Sequence, residues 1–211
     1  MALRFLPAVA LGAVLFAPTL AVAEPQSAPD DPPAPGWVAP PSDLPAPERG
    51  GHSYNLDTLF AALKIAPDPE SAKAIENRIW ALWMASGGDT CNLLMGRVKS
   101  ATDAKDYELA IKLLDAVIEI KPDYVEAWNR RATVYYLTRD YGHSLADIRQ
   151  VLIREPRHFG ALSGLGLILQ DIGDDKDALD AYRKALAIDP HLESLPDVVK
   201  TLSEKVEGRD I

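Results

Sequence analysis

From Asn55 onward apolar residues recur at three- and four-residue spacing, the period of one helix face. Leu56, Leu59, Phe60 and Leu63 define a first helix, and Pro67-Asp68-Pro69-Glu70 stops it and starts the next. Asp68 suits an N-cap, Pro69 the first helical position and Glu70 the positive end of the helix dipole. Ile75, Ile79, Leu82 and Trp83 line one side of the second helix, with Trp80 beside them, and Gly87-Gly88 closes it. Residues 55–90 therefore read as a helical hairpin.

Beyond it the pattern repeats. Pro122, Pro156 and Pro190 lie 34 residues apart, and other positions agree at the same period. Leu94, Trp128 and Leu162 form one large apolar column; Ala101, Tyr135 and Leu169 form another; Val98, Ala132 and Gly166 form a small one between them. In the second half of each unit come Ala110, Ser144 and Ala178, then Leu114, Ile148 and Tyr182, then Val117, Val151 and Ala185. Large residues four and seven apart line a first helix, and the small residue between them lets the paired helix approach closely. Proline ends the second helix, because the residue before it is driven out of the α region. Asp103 to Asp106, Arg139-Asp140 and Gly173-Asp174 supply the turns within each pair. A helix–turn–helix unit of this kind cannot bury both faces alone and must stack on a neighbour.

With units at 91–124, 125–158 and 159–192, the chain resembles the tetratricopeptide repeat family. The family's landmark positions fall on Trp128, Tyr135, Gly166, Ala110, Ala178, Tyr182, Ala185 and the three prolines. The first unit lacks the aromatic and the glycine of its first helix, and Ser144 replaces the usual alanine in the second. The resemblance implies an all-α solenoid of antiparallel helix pairs. Residues 55–90 are expected to cap the stack as a degenerate fourth unit. Leu195, Val198, Val199, Leu202 and Val206 give residues 193–211 an amphipathic helix that closes the other end, with Lys200, Glu204 and Lys205 outward.

Residues 1–23 read as a secretory signal: Arg4, an apolar run broken at Pro18, and the small-x-small site Ala21-Val22-Ala23 before Glu24. The core from Ala8 to Phe16 is far below the ~20 residues of a spanning helix, so no membrane insertion is expected once the signal is cleaved. Residues 24–54 follow as a tether, with nine prolines between 25 and 47 that deny it helix or sheet; Trp37 is its one tryptophan.

Composition narrows the chemistry. Twenty-two Lys and Arg against 31 Asp and Glu leave a net charge of −9, which argues against nucleic acid as a partner. Losing Arg4 with the signal makes it −10. Cys91 stands alone, so no disulfide staples the fold. The histidines at 52, 143, 158 and 191 include no pair at the i, i+4 spacing of a helical metal site. Gly164-Leu165-Gly166 lies inside a helix, with no strand before it to build a phosphate cradle. No catalytic residue, metal or cofactor is expected.

What remains is surface. The core columns occupy positions 4, 8 and 11 of each first helix, leaving a second stripe at 2, 5, 9 and 12 which, by the family resemblance, lines a concave groove for a partner segment. It comprises Asn92, Met95, Lys99 and Thr102; Glu126, Asn129, Thr133 and Tyr136; and Gly160, Ser163, Leu167 and Gln170. Its amides and hydroxyls can bond a peptide backbone. Lys99, with Arg157 and His158 at the mouth between the second and third units, points to an acidic segment. A looser resemblance, carried by the signal, the tether, Trp128 to Ala132 and Pro156 to Leu162, is to small exported repeat proteins of Gram-negative bacteria associated with cell-envelope integrity. The expected function is a monomeric periplasmic interaction scaffold supporting envelope assembly or integrity. An accessory subunit of an envelope enzyme or assembly factor, and a structural homo-oligomer, are the alternatives.

Overall fold

The computed structural model describes residues 55–85 and 88–208; the signal, the tether and Gly87 lie outside them. Among the described residues the structure is helical throughout: α1 (Leu56–Lys64), α2 (Pro69–Ala85), α3 (Asp89–Asp103), α4 (Tyr107–Ile120), α5 (Val125–Leu137), α6 (Tyr141–Arg154), α7 (Phe159–Asp171), α8 (Asp175–Ile188) and α9 (Leu195–Val206). Three pairs, α3/α4, α5/α6 and α7/α8, stack in chain order, and α9 packs on α8. The chain is an all-α tetratricopeptide-type solenoid.

The 34-residue period is written in the backbone as well as the side chains. Each pair turns through a residue with positive φ, Lys105 at 57°, Arg139 at 60° and Gly173 at 87°. The next residue is an aspartate N-cap: Asp106, Asp140 and Asp174 accept from the N–H groups of Leu109, His143 and Asp177, satisfying a donor the helix leaves orphaned.

The columns of the second helices are fully buried, from Ala110, Leu114 and Val117 through Ser144, Ile148 and Val151 to Ala178, Tyr182 and Ala185. Ser144, the departure from alanine, donates to Ala132 O at 2.7 Å, so its hydroxyl is satisfied rather than stranded. The small column is sterically required at Gly166, where a Cβ would lie 2.6 Å from the Tyr182 ring. Both large columns of the first helices differ from expectation, since Leu94, Trp128, Tyr135 and Leu169 are only half-buried. Trp128 is only half-buried, because it sits between the guanidinium groups of Arg131 and Arg154, each 5.0 Å from its ring, and its Nε1 donates to Pro122 O. Arg131 also clamps Asp147 through two bonds of 2.8 Å and reaches Asp115 at 2.6 Å, tying α4, α5 and α6 together.

The N-terminal hairpin forms as expected but does not cap the stack. α1 packs against α8 and α2 against α5, and its apolar face joins the core of the third unit, with Phe159, Leu162 and Tyr182. Its proportions also differ from those of a repeat unit: α1 has 9 residues against 15, 13 and 13 in α3, α5 and α7, and α2 buries Ala72, Glu76, Ile79, Trp80, Ala81 and Trp83. Leu93, 70% exposed, marks the uncovered front of α3.

Candidate functional site

The hairpin lies along the row of unit junctions. Tyr124, His158 and Leu192, the last residue of each unit, are all buried, and two of them meet it directly. Tyr124 Oη donates to Met84 O at 2.7 Å. The His158 imidazole stacks on the Trp83 indole, 4.1 Å between centroids and 9° from parallel. Trp80 fills the space behind, edge-on to Trp83, His158 and Phe159 at 5.1–5.4 Å. Aromatic pairs in such arrangements add about 0.5–1.5 kcal/mol each beyond the area they bury.

Beneath the stacked rings is a buried polar cluster. His158 Nδ1 accepts from the Ala161 N–H at 3.0 Å, capping α7 and leaving Nε2 to donate to Glu126 Oε1 at 2.9 Å. Asn129 Nδ2 donates to the same carboxylate at 3.2 Å, and Arg130 approaches it at 3.8 Å. Arg130 Nη2 also reaches Met84 Sδ at 3.3 Å. Burial is the main reason that the phenol of Tyr124 is pushed far up, with Glu126 adding to it.

Two further contacts pin the hairpin at its other end. Arg157 Nη1 donates to Asp57 Oδ1 at 2.6 Å, while its Nε holds Glu155 at 2.9 Å and its guanidinium covers Phe60, 4.4 Å from the ring centre. His191 Nε2 meets Ala66 O at 3.1 Å. Close by, Glu76 of α2 and Asp189 at the end of α8 bring two buried carboxyls together. Burial first, and then Glu76, push Asp189 up to about 6, although the His191 N–H donates to it and pulls the other way.

The expected stripe is thus divided. In the first unit Asn92 and Lys99 are exposed and Thr102 half-buried, while Met95 is buried. In the second, Glu126 and Asn129 are buried and Thr133 and Tyr136 half-buried. In the third, Gly160, Ser163 and Leu167 are buried and only Gln170 is exposed. Arg157 is half-buried and His158 fully buried rather than open at a mouth. Lys99 bonds Asp103 at 2.7 Å along its own helix. Tyr124, His158 and Leu192 recur at the 34-residue spacing, but of the three only His158 stands among the candidate groove residues. Trp80, Trp83 and Phe60 were visible as a helix face whose destination no local pattern gives. Among the described residues no group of three His, Cys, Asp or Glu is arranged to hold a metal ion.

With this geometry, comparison with known proteins is consistent. Tetratricopeptide repeat profiles match residues 95–147 and 159–192. A TPR repeat-containing protein of Rhizobium etli is 44% identical over 153 residues, covering 72% of this chain and 75% of its own. The chain belongs to the family of TPR repeat-containing proteins. Among solved structures, the Sgt2 TPR domain from Aspergillus fumigatus superposes with a TM-score of 0.52 at 24% identity, over 56% of this chain and 80% of that one. A MamA RS-1 double mutant gives 0.51 at 19% identity, over 72% and 82%. Both show the fold. The chain is a protein-interaction scaffold of tetratricopeptide repeats.

Proposed function

We propose that this scaffold is exported, is held by its proline-rich segment, and takes an acidic protein segment against the part of the first-helix stripe that stays open, around Asn92, Lys99 and Thr102, in support of cell-envelope assembly or integrity. The observation that carries the acidic preference is the pair between Arg157 and Asp57: a cation at the unit junction receives a carboxylate from a helix laid across the solenoid. Lys99, exposed beside Asn92 and Thr102, offers a second cation where the hairpin does not reach. Charge-assisted bonds of this kind contribute ~1.5–3 kcal/mol when partly desolvated, so one reversed cation weakens a partner about tenfold or more. Export is supported by the sequence of residues 1–23.

The test is affinity purification of the full chain from cross-linked, fractionated cells, with captured proteins identified by mass spectrometry. The expected result is mature chain beginning at Glu24 in the periplasmic fraction, carrying an envelope protein whose recovery drops in Lys99→Glu. A chain beginning at Met1 in the cytosol would remove the export reading. Undiminished capture by Lys99→Glu would move the binding surface elsewhere.

A further inference from the structure

Two first helices of the solenoid, α5 and α7, lie on the second helix of the unit before them. Position 3 of the unit is Ala127 in α5 and Ala161 in α7, and position 10 is Val134 and Ile168. All four are buried. Ala127 and Val134 share one buried cluster with Ala110, Leu114 and Val117, and Ala161 and Ile168 share another with Ile148 and Val151. The same positions in α3 are Leu93 and Ser100. Leu93 is 70% exposed, Ser100 is exposed as well, and a Cβ at Gly96 between them would meet nothing within 4 Å. The face that stacks in the second and third units is thus open in the first, while the hairpin packs on α5 and α8.

Position 7 adds charge to this face. In α5 it is Arg131, which receives a carboxylate from each side, Asp115 of the preceding α4 at 2.6 Å and Asp147 of its own α6 at 2.8 Å. In α3 it is Arg97, exposed and without an ion pair among the described residues. Its own unit offers no counterpart, because Leu113 stands in α4 where Asp147 stands in α6. A terminal unit that meets only water presents a polar outer surface. Here an exposed leucine lies one helical turn from an unpaired arginine, a combination that suits the middle of an interface. This front is separate from the open stripe around Lys99, which lies about 140° further round the helix at 3.6 residues per turn.

We propose that the front of α3 takes a helix of another protein, packed along it as α4 packs along α5, with an acidic residue paired to Arg97. The α4–α5 interface supplies the pattern that this helix must carry. Leu114 and Val117 of α4 are buried there, and Asp115 between them reaches Arg131. The partner helix therefore bears two apolar residues three apart, with a carboxylate directly after the first. A second copy of this chain has no such helix free, since α4, α6 and α8 already carry α5, α7 and α9. Docking of this kind adds one element to the superhelix, and it stands independently of the acidic segment proposed for Lys99.

The probe is a labelled peptide of residues 107–121, the sequence of α4 with its cap residue, titrated onto the full chain. A helix of that length is marginal alone in water, so a staple between positions 112 and 116, opposite Leu114 and Val117, holds it in shape. Binding should shift the amide resonances of Leu93, Arg97 and Ser100 before those of any other helix. Arg97→Glu in the chain should weaken the peptide about tenfold or more, and Asp115→Lys in the peptide should restore most of that loss. Leu93→Asp should weaken it similarly, and neither chain variant should move the melting temperature, because both side chains are exposed. Lys99→Glu should change affinity by less than about threefold. No binding to the wild-type chain, equal affinity for Arg97→Glu, or shifts centred on other helices would overturn the proposal. An equal loss with Lys99→Glu would do the same by moving the peptide into the groove. So would a concentration-dependent mass in light scattering that Leu93→Asp reduces to monomer, which would make a second copy the occupant.

Discussion

Gly166→Ala tests the pairing of small and large columns on which the solenoid is built. A Cβ at Gly166 would lie 2.6 Å from Cδ1 and Cε1 of Tyr182 and 2.9 Å from its Cγ, where carbon atoms in contact sit at ~3.5–4.0 Å. The ring must retreat by about 1 Å. It has little room to do so, because Tyr182 is fully buried and its Oη is held to Gln170 Oε1 at 3.1 Å. Overpacking of this kind costs about 1–3 kcal/mol. Better helix propensity offsets up to ~1 kcal/mol of that, leaving a net loss of about 1–2 kcal/mol. Urea unfolding followed by circular dichroism should show a lower midpoint at unchanged slope, with Tm down by roughly 3–6 °C for a chain of this size. Tyr182→Leu removes the ring that the new methyl meets, so the double variant should recover at least ~1 kcal/mol relative to the sum of the singles. A neutral or stabilising Gly166→Ala, or strict additivity, would refute the close approach of α7 and α8 at this point.

Three other perturbations follow from the same geometry. Arg139→Gly should raise stability by about 1 kcal/mol, since φ of 60° there strains a side-chain-bearing residue and suits glycine; a lower melting temperature would count against it. Arg131→Met should cost ~3 kcal/mol by leaving buried Asp147 unpaired, whereas Asp115→Ala at the exposed end of the same clamp should cost under ~1 kcal/mol; equal losses in denaturation would contradict that ordering. Asp189 sits at about 6 in the folded chain against 3.8 ordinarily, so the folded state holds a proton that the unfolded state releases, and its contribution to stability falls as pH rises from about 4 through about 6. Asp189→Asn should flatten that part of a profile of urea midpoint against pH, and a profile parallel to wild type would exclude the effect.

Much of this architecture is legible in the chain because a repeat is local physics copied at a fixed interval. The turns expected at Arg139-Asp140 and Gly173-Asp174 are the ones that separate α5 from α6 and α7 from α8, since an aspartate N-cap after a left-handed residue identifies itself over a few positions. The candidate site is less legible. Asn129 and Ser163 look like groove-lining polar residues from their position and type, and nothing local says that they are buried. Asn129 is paired with Glu126 three residues earlier, and Ser163 donates to Phe159 O one turn back, so both survive burial without solvent. The destination of the hairpin is set by long-range packing of its apolar face on Phe159, Leu162 and Tyr182, with contacts 100 and 125 residues apart, Asp57 with Arg157 and Ala66 with His191, for which no periodicity exists. Trp128 shows the limit from the other side: its column is a core column, but two arginines hold its ring at the surface.

The placement of Trp83 over His158 separates a hairpin that covers the unit junctions from one that stacks in front of α3 as a fourth unit. A nuclear Overhauser spectrum of the full chain measures it directly. With the rings 4.1 Å apart and nearly parallel, cross-peaks are expected between the Trp83 indole protons and the His158 imidazole protons, and the latter should be shifted upfield by the indole ring current. Cross-peaks from Trp83 to side chains of α3, with none to His158, would contradict the account.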